Sequence, residues 1–543
     1  MTRFQPKLRE TLRGYNKTLF IHDLSAGVTV GVLAVPLAMA FAIASGVSPS
    51  AGLWTAIIAG FIISALGGSR VQIGGPTGAF IPILFAIAAA HGVHNMLAAT
   101  FPAAILLVMM GLTRMGNLIR FIPVSVVIGF TNGIAVVIGL SQIKDLLGLR
   151  VDSLPAEFFA RMEALVRYLP TLDGRAAALA IGTMLLVFSW SHVVDRFPKL
   201  MPLPAQLVGL VAGTLVSVIL ELPIETIGSR FNGIPQQVPA PSFPLPSLSS
   251  LGQLLAPAIT IALLGAIESL LSARVADNQI DDRHDPNQEL LAQGIANIAT
   301  PFFGGIAATG AIARTSTNVK AGGRTPVAGI IHALTLLLIV LIAAPLAAWV
   351  PISVLAAIVM VTAVRMGEWH EFARLRHFSW NYRIILLATF LLTVLFDLTI
   401  AVEIGMVLAS LFFIYRMQDL TSAETVPTQA PACVAVHRLR GSLFFGAVAK
   451  LDALFDPAEI DALVLILDMR AVLNIDTSGV DWLQALTKAL SRKGCTLVLC
   501  GLEKQPDSIL RRSGLIALIG LRNICADQQA ALQRSRELLE EAA

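Results

Sequence analysis

The chain has 543 residues, of which 55% are hydrophobic and only 14% charged, where soluble domains carry about 25% charged. That excludes a wholly soluble enzyme, and a net charge of +4 gives no reason to expect nucleic acid as a partner. Long uncharged runs fill the chain up to residue 420, and the remainder has ordinary soluble composition. We therefore expect three parts: a segment over 1–21, a membrane domain over 22–420 and a soluble domain over 432–543.

The first 20 residues carry Arg3, Lys7, Arg9, Arg13 and Lys17 and no apolar core, so no cleavable leader is expected. With about 20 apolar residues per span as the yardstick, and shorter interrupted spans allowed, the sequence predicts about 14 spans. They fall near 22–45, 50–67, 74–90, 97–113, 120–140, 175–194, 202–220, 254–274, 289–303, 306–319, 326–346, 351–364, 381–397 and 399–418. Gln293, Asn297 and Arg314 weaken the ninth and tenth. With the N-terminus inside, inner segments hold about 19 Lys and Arg and outer ones about 6, five of these in 141–175. The asymmetry fits the positive-inside rule. Both termini, and the soluble domain, are then cytoplasmic. The four cysteines lie in that domain, at no metal-like spacing, and are expected as free thiols; no metal or cofactor is expected.

Seven spans followed by seven predict an inverted repeat, and spans three and ten are both broken by glycine. The third holds Gly74-Gly75-Pro76-Thr77-Gly78-Ala79; the tenth holds Gly304-Gly305, then Thr309-Gly310-Ala311. Two half-helices entering from opposite sides aim their N-termini at one spot, where free N–H groups and the helix dipole attract anions. The expected binding set is Thr77, Gly78, Ala79 and Phe80 with Thr309, Gly310, Ala311 and Arg314. The threonines offer hydroxyl donors, and Arg314 adds a full charge in the first turn of the second half-helix. Glu268 lies well inside the eighth span, where an ionisable group is costly and marks function. It repels an anion unless protonated, which makes it the expected proton-coupling group. The structural alternative is a Glu268–Arg314 salt bridge that pins two helices. Asp23, Asp397 and Glu403 are read as interfacial, His91 and His94 as an outer loop, and Asp277–Glu289 as a solvated loop.

These residues resemble the SulP family of anion transporters. Val35-Pro36-Leu37-Ala38-Met39-Ala40-Phe41-Ala42 is similar to the family's first span, and Gly129-Phe130-Thr131 through Leu149 to its fifth. Phe302-Phe303-Gly304-Gly305 through Arg314-Thr315, with Asn318 and Ala321-Gly322, is similar to its tenth. The resemblance implies a polytopic α-helical fold of 14 spans as a 7+7 inverted repeat, a core moving against a gate, and a homodimer. It also implies that spans three and ten face each other across the anion. Leu37 departs from the Gln that many members carry there, which weakens a sulfate assignment. Ala266–Leu271, Ala311–Arg314 and Thr393–Asp397 look most similar to bacterial members that carry C4-dicarboxylates. Sodium-bicarbonate members tend to have Asp at the position of Glu268.

The soluble domain alternates strand and helix patterns: a buried strand over 462–468, an amphipathic helix over 478–490, a strand over 496–500 and a helix near 508–510. Asp476-Thr477-Ser478-Gly479 reads as a helix N-cap. The domain resembles an α/β STAS module, a site for a cytoplasmic regulatory protein. The expectation is thus a bacterial inner-membrane, proton-coupled symporter of a C4-dicarboxylate or sulfate. A sodium-bicarbonate symporter, an anion channel and an exchanger on the same fold are the alternatives.

Overall fold

The computed structural model describes residues 4–119, 123–151, 154–155, 157–197, 203–242, 248–396, 398–427, 431, 433–457 and 460–542. Asp397 lies outside them. The chain divides into two compact units, residues 1–406 and 407–543.

The first unit opens with α1 (Lys7–Thr11), α2 (Lys17–Ala44) and α3 (Pro49–Leu66). Asn16 starts α2 by accepting the Leu19 N–H at 2.9 Å, and Pro49 sits in the first turn of α3, where an N–H is not needed. A two-residue strand, β1 (Gly74–Gly75), and a 3₁₀ turn (Gly78–Phe80) lead into α4 (Ile81–Leu112). α4 holds two of the predicted spans, separated by Gly92, whose φ of +82° interrupts the helix. His91 and His94 therefore flank the break that separates the third and fourth predicted spans.

Next come α5 (Val124–Leu147), α6 (Phe158–Tyr168), α7 (Gly174–Arg196), α8 (Ala205–Ile219), α9 (Leu248–Ile280) and α10 (Pro286–Ala299). Strand β2 (Thr309–Gly310), α11 (Ile312–Lys320), α12 (Val327–Ala347), α13 (Ile352–Met366), α14 (Trp380–Leu395) and α15 (Leu398–Asp419) complete the series. Up to Asp419, with α4 counted twice and α1, α6 and the short helices Gly116–Ile119, Ile227–Phe231 and Trp369–Arg374 set aside, the described residues hold fourteen helical segments, seven before α9 and seven from α9 on. Among the described residues, eight helices are long and apolar enough to cross a membrane alone, and α8 and α14 are shorter apolar helices.

Two boundaries differ from the sequence reading. The tenth segment becomes helical only at Ile312, not at 306, because 306–308 runs unwound through the protein interior. α10 begins at Pro286, capped by Asp285, whose carboxylate accepts from Asn287 and Gln288 N–H groups. Glu289 is therefore not in a solvated loop; it is fully buried. Asp23 is also enclosed by protein instead of facing the interface. It accepts from Arg324 N at 2.8 Å, Thr325 N at 3.1 Å and Tyr15 Oη at 3.1 Å. Glu403 is exposed.

The helices sort into two bundles by packing. One holds α2, α3, α4, α9, α10, α11 and α12; the other holds α5, α7, α8, α13 and α14. Small residues let the backbones approach. Gly31 of α2 receives Thr335 of α12, and Gly133 of α5 receives Thr393 of α14; a Cβ at either would lie under 3.0 Å from the threonine.

The second unit is a five-stranded sheet in the order β3 (Ser422–Thr425), β4 (Val434–Leu443), β5 (Val464–Ile475), β6 (Thr496–Cys500), β7 (Ile524–Cys525). β3 is antiparallel to β4 and the other pairs are parallel. Helices α16 (Thr477–Arg492) and α17 (Lys504–Arg512) contribute Leu483, Leu486 and Leu510 to the core on one face. Ala531 and Leu539 of α18 (Gln528–Ala542) cover Val436, Ile466 and Val498 on the other. A strand covered on both faces reads as a continuous apolar run, as Val464–Leu467 does. Asp476 caps α16 by accepting the Gly479 N–H at 3.0 Å.

Candidate functional site

The two glycine-broken segments meet. β1 and β2 pair antiparallel, Gly74 opposite Gly310 and Gly75 opposite Thr309. The Ala311 N–H extends the pairing by donating to Ile73 O at 2.9 Å. Side chains satisfy the unwound backbone behind the crossing. Thr55 accepts the Ile306 N–H at 2.8 Å, and Asn297 holds both polar groups of Ala308, each at 2.8 Å. Asn318 donates to Val71 O at 2.8 Å and Thr315 accepts the Ile73 N–H at 3.0 Å. Irregular backbone at membrane depth persists only where protein meets its hydrogen bonds in this way.

A helix starts immediately after each strand. Neither N-cap residue, Thr77 or Ala311, makes a side-chain capping bond. The Phe80 N–H donates to Thr77 O at 3.3 Å, and the N–H groups before it, with those that open α11, are left for another acceptor. Gly78, Ala79 and Phe80 form the first turn on one side, with Gly78 facing Ile138, Met366 and Phe41. These three come from α5, α13 and α2, so both bundles meet at this helix end. Phe80 is buried against Gly265 of α9. Thr309 and Gly310 lie in β2, and Ala311 precedes α11.

The hydroxyls are already engaged. Thr77 Oγ1 donates to Glu268 Oε2 at 2.8 Å, and Thr309 Oγ1 donates to Gly265 O at 2.8 Å. Glu268 is half-buried. Arg314 is fully buried in the first turn of α11, where one Nη donates to Pro76 O and the other has no partner. Its guanidinium lies against Gly75, whose φ is +149°, and a Cβ there would be 2.5 Å from Arg314 Nη1. Glycine is thus required at 75 by both backbone and contact. No ion pair joins Arg314 to Glu268, so the expected alternative of a helix-pinning salt bridge is absent from the described residues. The cation sits behind the Gly75-Pro76 backbone, and its charge acts through that layer.

Sequence reasoning missed a second polar cluster beside the crossing. Glu289 Oε1 accepts from Gln72 and Gln293, each at 2.9 Å, and Glu289 Oε2 accepts the Gly68 N–H at 3.0 Å. Gln72 also donates to Ser269 Oγ at 2.8 Å, and its amide lies directly against Gly310. Glu289 and Gln293, four residues apart, share a helix face; that spacing was the available signal. No cluster of potential metal ligands occurs among the described residues.

Facing, uncapped helix ends in a fourteen-segment bundle, with a sheet domain after it, define a membrane transporter for anions. The sulfate permease family matches residues 20–389 and the STAS domain matches 425–531. The chain belongs to the sulfate permease family. It is 44% identical over 94% of its length, and 96% of the relative's, to YvdB of Bacillus subtilis, whose name carries a provisional sulfate-transporter assignment. It is 31% identical to the bicarbonate transporter BicA of Picosynechococcus, over 87% of each chain. The solved structure of murine SLC26A9 superposes with a TM-score of 0.86 at 19% identity, covering 98% of this chain and 94% of that one. This last likeness is one of fold.

Proposed function

We propose that the protein is a proton-coupled symporter of a small anion, a C4-dicarboxylate or sulfate. It works by alternating access in the bacterial cytoplasmic membrane, as a homodimer with both termini inside. The observation that carries this reading is the Thr77–Glu268 hydrogen bond at an uncapped helix end. An ionised carboxylate only accepts, so it holds the Thr77 proton. A protonated Glu268 donates to Thr77 Oγ1 instead, and the threonine hydrogen turns toward the anion. Protonation thus removes a repelling charge and adds a donor. By linkage, the bound anion favours the proton by the same factor.

The anion is held by the N–H groups of Gly78 and Ala79 and the Thr77 hydroxyl on one side, where Phe80, whose N–H donates to Thr77 O at 3.3 Å, closes the turn. Thr309, Gly310 and Ala311 approach it from the other, with Arg314 supplying positive potential from behind. The membrane domain over 22–420 carries the path, and the STAS domain over 432–543 lies outside it, available to a cytoplasmic regulator.

The test is uptake of labelled succinate, sulfate and bicarbonate into proteoliposomes under imposed pH or sodium gradients. Accumulation of succinate or sulfate when the outside is acidified is expected. Sodium-driven bicarbonate accumulation would replace this reading with a second one, which the likeness to BicA favours. Anion flux without accumulation would point to a channel or an exchanger.

A further inference from the structure

The helix end at Gly78 has two kinds of wall. Thr77, the N–H groups of Gly78 and Ala79, and Glu268 are polar, and all belong to the bundle that holds α4 and α9. The side chains nearest to Gly78 are apolar. A Cβ there would lie 3.1 Å from Ile138 Cδ1, 3.8 Å from Met366 Sδ and 3.8 Å from Phe41 Cε1. Ile138 is in α5 and Met366 ends α13, both in the other bundle; Phe41 comes from α2. Ile138 and Phe41 are buried, and Met366 is half-buried.

The two walls read different features of an anion. The N–H groups and the hydroxyl bond any oxyanion oxygen, whatever stands behind it. An apolar wall offers an oxygen no hydrogen bond and makes its burial costly. The same wall gains by covering carbon, and a hydrophobic pocket tells one methylene from none by about 10–200-fold. Sulfate presents oxygen in every direction. A carboxylate on a hydrocarbon chain presents oxygen to the helix end and carbon to the wall. Ile138 is the nearest of the three, and its β-branch leaves it few rotamers, so it fixes the depth available. Met366 is unbranched and adapts more readily.

We propose that Ile138 and Met366 are the specificity-determining residues of this site. They select an anion by the length of hydrocarbon behind its carboxylate, and so favour an organic carboxylate over sulfate. Charge is recognised by one bundle and size by the other, so an anion meets both demands only where the two bundles close over it. This rests on the reading of the crossing as the anion site.

The test is calorimetric titration of the purified full chain, at one fixed pH, with sulfate, malonate, succinate and glutarate. The three dicarboxylates lengthen by one methylene at a time. Wild type is expected to bind one of them about five-fold or more tightly than sulfate. Ile138→Ala should raise the preference for glutarate over malonate by about five-fold or more, and Met366→Ala by a smaller factor. Ile138→Val removes a single methylene, keeps the fold, and should shift the preference in the same direction by about two-fold or more. A merely structural role would weaken all four anions by one common factor. That result would overturn the proposal, as would an unchanged glutarate-to-malonate ratio in Ile138→Val and Met366→Ala, or a wild type that prefers sulfate. Thr77→Val separates this from the main-site reading. If it weakens binding while the wall variants leave the ratio unmoved, the wall alone fails. If wild type binds none of the four, or Thr77→Val leaves their binding unchanged, the main site fails and the wall with it.

Discussion

Thr77 and Glu268 lie 191 positions apart and are joined by a 2.8 Å hydrogen bond that places a half-buried carboxylate directly beside an uncapped helix N-terminus. The helix end attracts negative charge, and the carboxylate is negative charge already in place. An arriving anion competes with it unless Glu268 takes a proton. The pair therefore contains the two opposed requirements from which coupling is built.

Glu268→Gln fixes the uncharged state and keeps a donor for Thr77. The variant should bind anion and exchange anion for anion, but lose accumulation driven by a pH gradient. Full proton-driven uptake by a folded Glu268→Gln protein would falsify the role given to Glu268. Thr77→Val keeps the shape and removes the hydroxyl. It should weaken anion binding by about 1 kcal/mol, the worth of one net hydrogen bond, when measured at a pH where Glu268 is protonated.

Arg314 is expected to act mainly by charge, because its guanidinium is one backbone layer away from the helix ends. Arg314→Ala should weaken anion binding by about 1.5–3 kcal/mol, the range for a charged hydrogen-bond partner. Arg314→Lys should recover part of this, since it keeps the charge but not the planar fork. Arg314→Gln removes the charge and leaves a polar but shorter side chain. If Arg314→Gln binds as tightly as wild type, the residue only props the Pro76 turn.

The broken spans were legible because glycine pairs weaken a helix, and two of them at matching places in apolar runs mark interruptions. The start of the second half-helix was not legible. Ile306, Ala307 and Ala308 are as apolar as any helical residue, and their extended course is set by Thr55 and Asn297, which sequence spacing does not connect to them. Arg314 stands out by its charge, but its direction depends on Gly75 and Pro76, over 230 positions away. Glu289 is hidden because it closes a charged run. A polar run says nothing of where a loop ends and a buried helix begins; Asp285 decides that by capping. In the soluble domain the run 462–468 announced a strand, while its continuation to Ile475 follows from pairing with β4.

Asn297 supports the crossing without touching the candidate anion groups. Asn297→Leu leaves the N–H and C=O of buried Ala308 without their side-chain partner. Each unsatisfied buried group costs about 1–3 kcal/mol, so the detergent-solubilised protein should melt several degrees lower. An unchanged melting temperature would mean that the unwound backbone finds other partners.

The soluble unit carries a pH dependence of its own. Asp468 is fully buried in β5. Burial pushes its carboxyl up, but hydrogen bonds from Arg470 and Arg438 more than offset this and hold it at about 2. Arg470 donates through Nε at 3.0 Å and Nη2 at 2.7 Å, and Arg438 through Nε at 2.9 Å. A group whose folded value lies below its unfolded one stabilises the fold above the unfolded value, about 3.9 for Asp. That contribution is lost as pH falls through the folded value. The window here runs from about pH 4 down to about pH 2. A shift of this size corresponds to at most about 2 kcal/mol, less whatever solvent screens at the half-exposed Arg470. Urea unfolding of wild type and Asp468→Asn, followed by a fluorophore in the soluble domain, isolates the effect because other carboxylates titrate equally in both. The stability difference between the two should be constant above pH 5 and shrink steadily between pH 4 and pH 2. A difference that persists unchanged at pH 2 would show that the aspartate acts by packing alone and that its arginine partners contribute nothing through charge.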